Sequence, residues 1–174
     1  MPVTERAVRC RGRNCHTVRC GTRTRNGKGR QCKNRTTIYP DHCYLHTQKN
    51  IGLKIAKSDI PGAGNGLYTL KELKRGDLIG EYKGVKRQEP VESGYDLEMK
   101  KNTHIDASST QSCIARYIND CRRENIDKGH CGKQGSNCAF RLDNKRKRVT
   151  VRATRKIRPG DELYVSYGTS YWKG

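Results

Sequence analysis

The sequence predicts a mainly β fold of small sheets behind a compact, basic, cysteine-rich head. From Ile51 onward, short β-like runs alternate with Gly and Pro turns. Helical patterning there is confined to one short turn, and before about Asn50 the chain is rich in Arg, Cys and Asn with almost no apolar period. The boundary is placed near Gln48 to Gly52, giving a head over 1–49 and a larger domain over 50–174. The expected strands are Leu53 to Ala56, Gly66 to Leu70, Leu78 to Lys83, Gly94 to Glu98, His104 to Asp106, Asn137 to Leu142 and Arg148 to Ala153. A helical turn is expected around Ile114 to Ile118. One segment echoes another: Leu73-Lys74-Arg75-Gly76-Asp77 returns as Ile157-Arg158-Pro159-Gly160-Asp161. Each reads as a Gly-permitted turn feeding a strand that delivers a tyrosine, Tyr82 or Tyr167.

Composition narrows the function. At 174 residues there is room for one ordinary domain and a small appendage, which excludes a two-domain enzyme with a large substrate lobe. Apolar residues make up 32 % of the chain, with one Trp, one Phe and nine Tyr, so the core is thin and uses tyrosine as amphipathic filler. Metal, ligand or partner is therefore expected to contribute to stability. The net charge is +20, and half of it lies in residues 1–50, where twelve Lys or Arg face only Glu5 and Asp41. Such a field favours polyanions such as DNA or nucleosomes, with salt-dependent association. No apolar run approaches 18 residues and the first residues lack a signal-peptide pattern, so no membrane span is expected. Nine cysteines, an odd number, then read as thiols and metal ligands in a reducing compartment better than as disulfides.

The segment Pro61-Gly62-Ala63-Gly64-Asn65-Gly66-Leu67-Tyr68 sets three glycines before a strand, where bare backbone can approach a ligand. It fails the dinucleotide fingerprint, because position 67 is Leu and a strand follows instead of a helix. In order come Gly80-Glu81-Tyr82-Lys83-Gly84, Ile105-Asp106-Ala107, Arg116-Tyr117-Ile118-Asn119 and Gly160-Asp161-Glu162-Leu163-Tyr164-Val165-Ser166-Tyr167-Gly168. In order and spacing these motifs resemble the SET-domain family. The resemblance implies a pseudoknotted, β-clip-like fold of small sheets, S-adenosylmethionine as methyl donor, and a protein lysine as acceptor, most often on a histone tail. It places the cofactor against Gly64, Asn65, Gly66, Tyr95, Arg116, Asn119, Asp120 and Tyr167. It makes Tyr167 the catalytic tyrosine and Tyr82 the aromatic of the substrate channel. Asp120 stands where the family usually has His, and the family's tight Asn-His-Ser-Cys-x-Pro-Asn run is opened by an insert reaching Asn137-Cys138. Val165 stands where the family has an aromatic that influences how many methyls are added. The end at Tyr171-Trp172-Lys173-Gly174 resembles minimal, virus-type SET proteins, in which a terminal aromatic, here Trp172, or a partner subunit in a homodimer closes the pocket. The implied location is the nucleus, or a host nucleus and its chromatin for a viral chain.

In the head, Cys20, Cys32, Cys43 and His46 follow C-x11-C-x10-C-x2-H. Three thiolates and an imidazole suit a tetrahedral structural zinc site, and the run is similar to short Cys3His modules. A segment this polar cannot fold by burial, so the ion would supply the missing free energy. Cys10, Cys15, His16 and His42 are spare candidates, as a second site or as free residues. Cys121, His130, Cys131 and Cys138 form another candidate set, with unpaired loop thiols as the alternative. Asn144-Lys145-Arg146-Lys147-Arg148 reads as an import signal, a phosphate-binding tip or a solvated turn. Two functions compete: an active histone lysine methyltransferase, and an inactive SET scaffold whose basic zinc head binds nucleic acid or chromatin.

Overall fold

The computed structural model describes residues 18–23, 29–36, 42–109 and 112–168. Cys10, Cys15, His16 and Trp172 lie outside the described residues. The head opens with two-residue strands β1 (Val18–Arg19) and β2 (Arg35–Thr36), paired antiparallel. It ends in a single helical turn α1 (Tyr44–His46) that runs on as a wider turn over Thr47–Ile51. The expected boundary at 49/50 falls inside this second turn. Gly52 closes it in the left-handed conformation at φ 74°, and its N–H donates to the Gln48 carbonyl at 3.1 Å.

The body is a set of small sheets, as the runs of the sequence predict. Strands β3 (Leu53–Lys57) and β4 (Asn65–Thr69) form an antiparallel pair. Strands β5 (Leu78–Tyr82), β10 (Cys138–Asp143) and β11 (Arg148–Ala153) make a three-stranded sheet in the order β10-β11-β5. A second three-stranded sheet has β8 (Thr103–Asp106) between β6 (Val85–Arg87) and β7 (Asp96–Lys100). Every expected strand is present within two residues. The expected turn near Ile114 is a 3-10 turn, Ile114–Tyr117. Beyond those expectations come β6, a two-residue strand at Asn119–Asp120 and a short helix α2 (Arg123–Asp127) in the insert.

The two echoed turns meet. Leu73 and Ile157 exchange both backbone hydrogen bonds, at 3.0 and 2.9 Å. Within each turn the aspartate closes the loop: Lys74 N–H donates to Asp77 Oδ2 (2.8 Å) and Arg158 N–H to Asp161 Oδ2 (3.0 Å). The glycines then dock each turn on a neighbour, Gly76 N–H to Ala153 O (2.8 Å) and Gly160 N–H to Thr69 O (2.7 Å). One short sequence thus makes the same turn twice, and the pair fixes β5 and the C-terminal segment relative to each other.

That segment carries strand β12 (Tyr164–Val165), which pairs in parallel with β9 (Asn119–Asp120). Asn137 locks it: its backbone N–H donates to Tyr164 O (3.0 Å), its side chain donates to Glu162 O (2.8 Å) and accepts from Tyr164 N–H (2.8 Å). One contiguous core lies under these sheets, with Leu53, Leu67, Ile118, Val151, Ile157, Leu163 and Val165 fully buried in it. A smaller cluster of Ile60, Cys121, Cys131 and Tyr164, with Ile126 against it, seats the insert.

The insert corrects one expectation. Cys121 and Cys131 are joined as a disulfide with Cα atoms 6.0 Å apart, instead of being thiols or metal ligands. The physical reason is α2, which folds the ten-residue separation back on itself and buries both sulfurs beside Ile60 and Tyr164. Cys138 belongs to the main core, where burial pushes its thiol up to about 12, so it is an inert apolar filler there. The four residues Cys121, His130, Cys131 and Cys138 therefore do not assemble as a ligand set.

Candidate functional site

A cleft of about 780 Å³ runs between the glycine-rich segment before β4 and the β9 region, with Asp120, Arg122, Glu124 and Asn125 on its far wall. Gly64 adopts φ +74°, a conformation that favours glycine, and a Cβ built there would meet nothing within 4 Å. Its bare backbone opens on the cleft. Gly66 is required for a different reason: a Cβ there would lie 2.0 Å from Glu162 Oε1. Glycine is thus favoured at 64 by its backbone conformation and required at 66 by the protein's own carboxylate.

Glu162 is the residue that sequence reasoning left without a role. It is 3 % exposed and accepts four hydrogen bonds. Ser58 Oγ (2.7 Å) and Asn119 Nδ2 (3.1 Å) donate to Oε1, while Asp59 N–H (2.8 Å) and Tyr164 OH (2.8 Å) donate to Oε2; Tyr68 OH lies 3.1 Å from Oε2 but is nearer the Lys57 carbonyl, at 2.7 Å. A buried carboxylate is tolerated only when its lone pairs are filled in this way. Burial, together with that carboxylate, raises the Tyr68 and Tyr164 phenols well above their usual range, so both remain neutral donors. The available signal was an acid directly before the apolar run Leu163-Tyr164-Val165.

Asn119 lines the cleft and reaches back: its Nδ2 donates to the Asn65 carbonyl (3.1 Å) as well as to Glu162. It therefore pins the glycine segment to β9. Asp120, the departure from the family's histidine, accepts the Tyr167 backbone N–H at Oδ2 (3.2 Å). The parallel β9–β12 pairing is intact around it. Arg116 is buried; its Nε and Nη2 donate to the carbonyls of Ala107 (2.8 Å) and Ser108 (3.1 Å). Its guanidinium lies 3.9 Å from the Tyr95 ring centroid and 5.0 Å from that of Tyr117.

A narrow channel opens beside the cleft, lined by Tyr82, Asp96, Leu97, Ile118 and Phe140. Cleft and channel share Gly94, Tyr95, Arg116 and Tyr167. Tyr167 OH donates to the Ile118 carbonyl (2.8 Å) and Tyr82 OH to the Tyr95 carbonyl (2.7 Å). With those protons committed, each phenol oxygen acts as an acceptor toward any other group. Burial raises the Tyr82 phenol far above its usual value, with Cys113 and Tyr167 adding to the shift, so it stays neutral. Phe140 meets the Tyr82 ring edge-on at 5.5 Å. Asp96 gives one carboxylate oxygen to His104 Nδ1 (2.7 Å), while its other oxygen is buried without a partner among the described residues. Val165 is buried in the core.

The expected residues thus converge: Gly64, Asn65, Tyr95, Arg116, Asn119, Asp120 and Tyr167 line the cleft, and Tyr82 lines the adjoining channel. Gly66 faces Glu162 instead. In the head, Cys20, Cys32, Cys43 and His46 bring their ligand atoms within 4.8 Å of one another. His46 Nδ1 lies 3.3 Å from both Cys20 Sγ and Cys43 Sγ. Burial works against ionisation of Cys20, but hydrogen bonds from Thr22, the Cys43 backbone and His46 prevail and lower its thiol to about 6. Zinc bonds of about 2.3 Å to sulfur and 2.0 Å to nitrogen require ligand atoms roughly 3.5 Å apart in a tetrahedron, so these donors fit that ion.

Comparisons with known proteins bear on the fold and the family. A chain from the crystal structure of the Chaetomium thermophilum polycomb repressive complex 2 matches with a TM-score of 0.52 and 19 % identity. The match covers 67 % of the present chain and 15 % of that chain's length, and at this identity the likeness is one of fold. The SET domain family model matches residues 64–168, the stretch from the cleft glycine to the residue after Tyr167. This chain belongs to the SET-domain family.

Proposed function

We propose that the protein is an S-adenosylmethionine-dependent protein lysine methyltransferase acting on a histone tail. The observation that carries the reading is the meeting of an open cleft and a narrow aromatic channel at Tyr167. A cofactor in the cleft and an acceptor side chain in the channel would meet at the residues the two share. Gly64, Asn65, Tyr95, Arg116, Asn119 and Asp120 would hold S-adenosylmethionine, whose sulfonium supplies the methyl group. The channel residues handle the acceptor. A lysine amine has a pKa of about 10.4 in water and must lose its proton to act as a nucleophile. The apolar walls of Leu97, Ile118 and Phe140, beside a cationic sulfonium in the cleft, would disfavour the charged form, so the proton leaves to solvent before transfer. The Tyr82 and Tyr167 oxygens then accept from the amine and align it, and alignment is most of what an in-line displacement needs.

Asp120 is a structural substitute in this reading: it fixes the backbone of Tyr167 and so favours the active enzyme over an inactive scaffold. The Cys3His cluster is assigned to structural zinc, and the basic head to contact with chromatin in the nucleus. The test is incubation with labelled S-adenosylmethionine and mixed core histones, followed by mass spectrometry. Label on one or a few histone lysines is the expected result; no transfer to any core histone, with the cofactor shown to bind, would overturn the substrate assignment.

A further inference from the structure

The sheet β10-β11-β5 separates two different surfaces. Its inner face carries Tyr82, Phe140, Val149 and Val151 into the core and channel. Its outer face, by the pairing register, sets Arg141 opposite Thr150 and Thr150 opposite Glu81, with the pairs Asp143–Arg148 and Ala139–Arg152 on either side. Arg141 therefore lies diagonal to both Arg148 and Arg152. The turn beyond this face is Asn144-Lys145-Arg146-Lys147, all exposed. Lys86 adds its ammonium there through a bond to the Lys147 carbonyl (2.9 Å).

The counter-charges do not balance. Glu81 and Asp143 are the acids of this face, and Arg148 engages both, at 3.6 and 3.3 Å. Arg146 reaches Asp143 only at 4.0 Å. Arg141 has no carboxylate partner among the described residues, and Arg152 has only the Gly76 carbonyl, at 2.7 Å. Like charges on neighbouring sheet positions are destabilising unless something neutralises them. Between them the face holds an open cavity of about 380 Å³, lined by Arg141, Lys145, Arg146, Arg148 and Arg152 with Asp143 as its one acid.

We infer that this outer face and its hairpin tip bind the phosphate backbone of duplex DNA. Guanidinium forks match phosphate oxygens in pairs, and the walls offer cationic heads with no deep apolar pocket for a peptide side chain. From Arg148 to Arg152 the strand spans about 14 Å, a length over which one DNA strand carries about four phosphates. Because Arg141 follows Phe140 directly, DNA on this face would lie one sheet thickness from the substrate channel. This deepens the chromatin reading by adding a second contact surface on the body, apart from the head.

The test is fluorescence anisotropy with a labelled 30-base-pair duplex and the full zinc-loaded chain. The triple variant Lys145→Ala, Arg146→Ala, Lys147→Ala is expected to bind about tenfold more weakly and to lower the log–log salt slope by about 2 to 3, near 0.9 per lost phosphate contact. Arg141→Gln alone should cost about two- to fourfold, on the same footing of one lost contact. A control triple of equal charge on exposed positions elsewhere, Lys74→Ala, Arg75→Ala, Arg158→Ala, should lose less than about twofold. Equal losses in both triples, or no loss in the tip triple, overturn the inference. So does weakened binding to nucleosomes with free-duplex binding unchanged, which would mean an acidic protein surface is the partner. Turnover of a short lysine peptide tests the methyltransferase reading separately and should be unaffected by the tip triple.

Discussion

The head and the body solve the same problem with different chemistry. The body buries a continuous apolar core under its sheets, whereas the described part of the head has two-residue strands and one helical turn. Its buried side chains there are Cys20, Cys43 and Thr47, two of them members of the Cys3His cluster. The cysteines follow the same division. In the head, Cys20, Cys32 and Cys43 converge with His46, while in the body Cys121 and Cys131 pair with each other and Cys138 packs as an apolar residue. Where the sequence is too polar for an apolar core, the head gathers four potential metal ligands instead.

The largest expected effect breaks the comparison directly. Chelating the metal, or replacing Cys43 by Ser, should unfold the head, because coordination in small zinc modules is worth on the order of 10 kcal/mol. The body should keep its own melting transition and its turnover of a short peptide. Circular dichroism and calorimetry with and without chelator check this; a single transition lost throughout would mean that head and body fold as one unit.

Within the body the most sensitive buried group is Glu162. Glu162→Gln keeps the size but sets an amide N–H2 among donors, so it should destabilise by about 3 kcal/mol, as expected for losing hydrogen bonds to a buried charge. For a chain of this length that is a fall in Tm of about 6 to 12 °C. An unchanged melt would remove Glu162 as the anchor between the glycine segment, β9 and Tyr164.

A smaller effect is expected at the insert. The Cys121–Cys131 bridge closes a short loop, and replacing both by Ser should cost about 2 to 3 kcal/mol by the loop-entropy relation. Because Arg122, Glu124 and Asn125 of the same insert line the cleft, cofactor affinity should fall with it. Isothermal calorimetry on the double variant tests the point: weaker binding with peptide-channel residues untouched is the expected outcome, and full affinity would detach the insert from the cofactor site.

Much of this was legible in the residues themselves. Alternating apolar runs such as Arg148 to Ala153 mark strands because each packs one face on the core. The repeated Gly-Asp turn was visible, but not that Leu73 and Ile157 would pair with each other, since mutual pairing is a tertiary fact. Cys20, Cys32, Cys43 and His46 could be read from spacing because chelation tolerates long loops. The disulfide could not, for its partners meet only through α2, a five-residue helix in a polar insert without a strong apolar period. Glu162 was hidden for a related reason. Its donors come from Ser58, Asp59, Asn119 and Tyr164, most of them distant in sequence.

The central claim is that the Tyr167 oxygen serves the reaction at the junction of cleft and channel. Tyr167→Phe removes that oxygen and keeps the ring, so the contacts with the core should persist while the bond to the Ile118 carbonyl is lost. The account predicts a fall in kcat of about 100-fold, the scale for removing one preorganised polar group, with cofactor affinity changed far less. Tyr82→Phe, measured alongside, should be milder or should shift how many methyls are added. Thermal melts confirm that both variants fold. Full turnover in folded Tyr167→Phe would contradict the account.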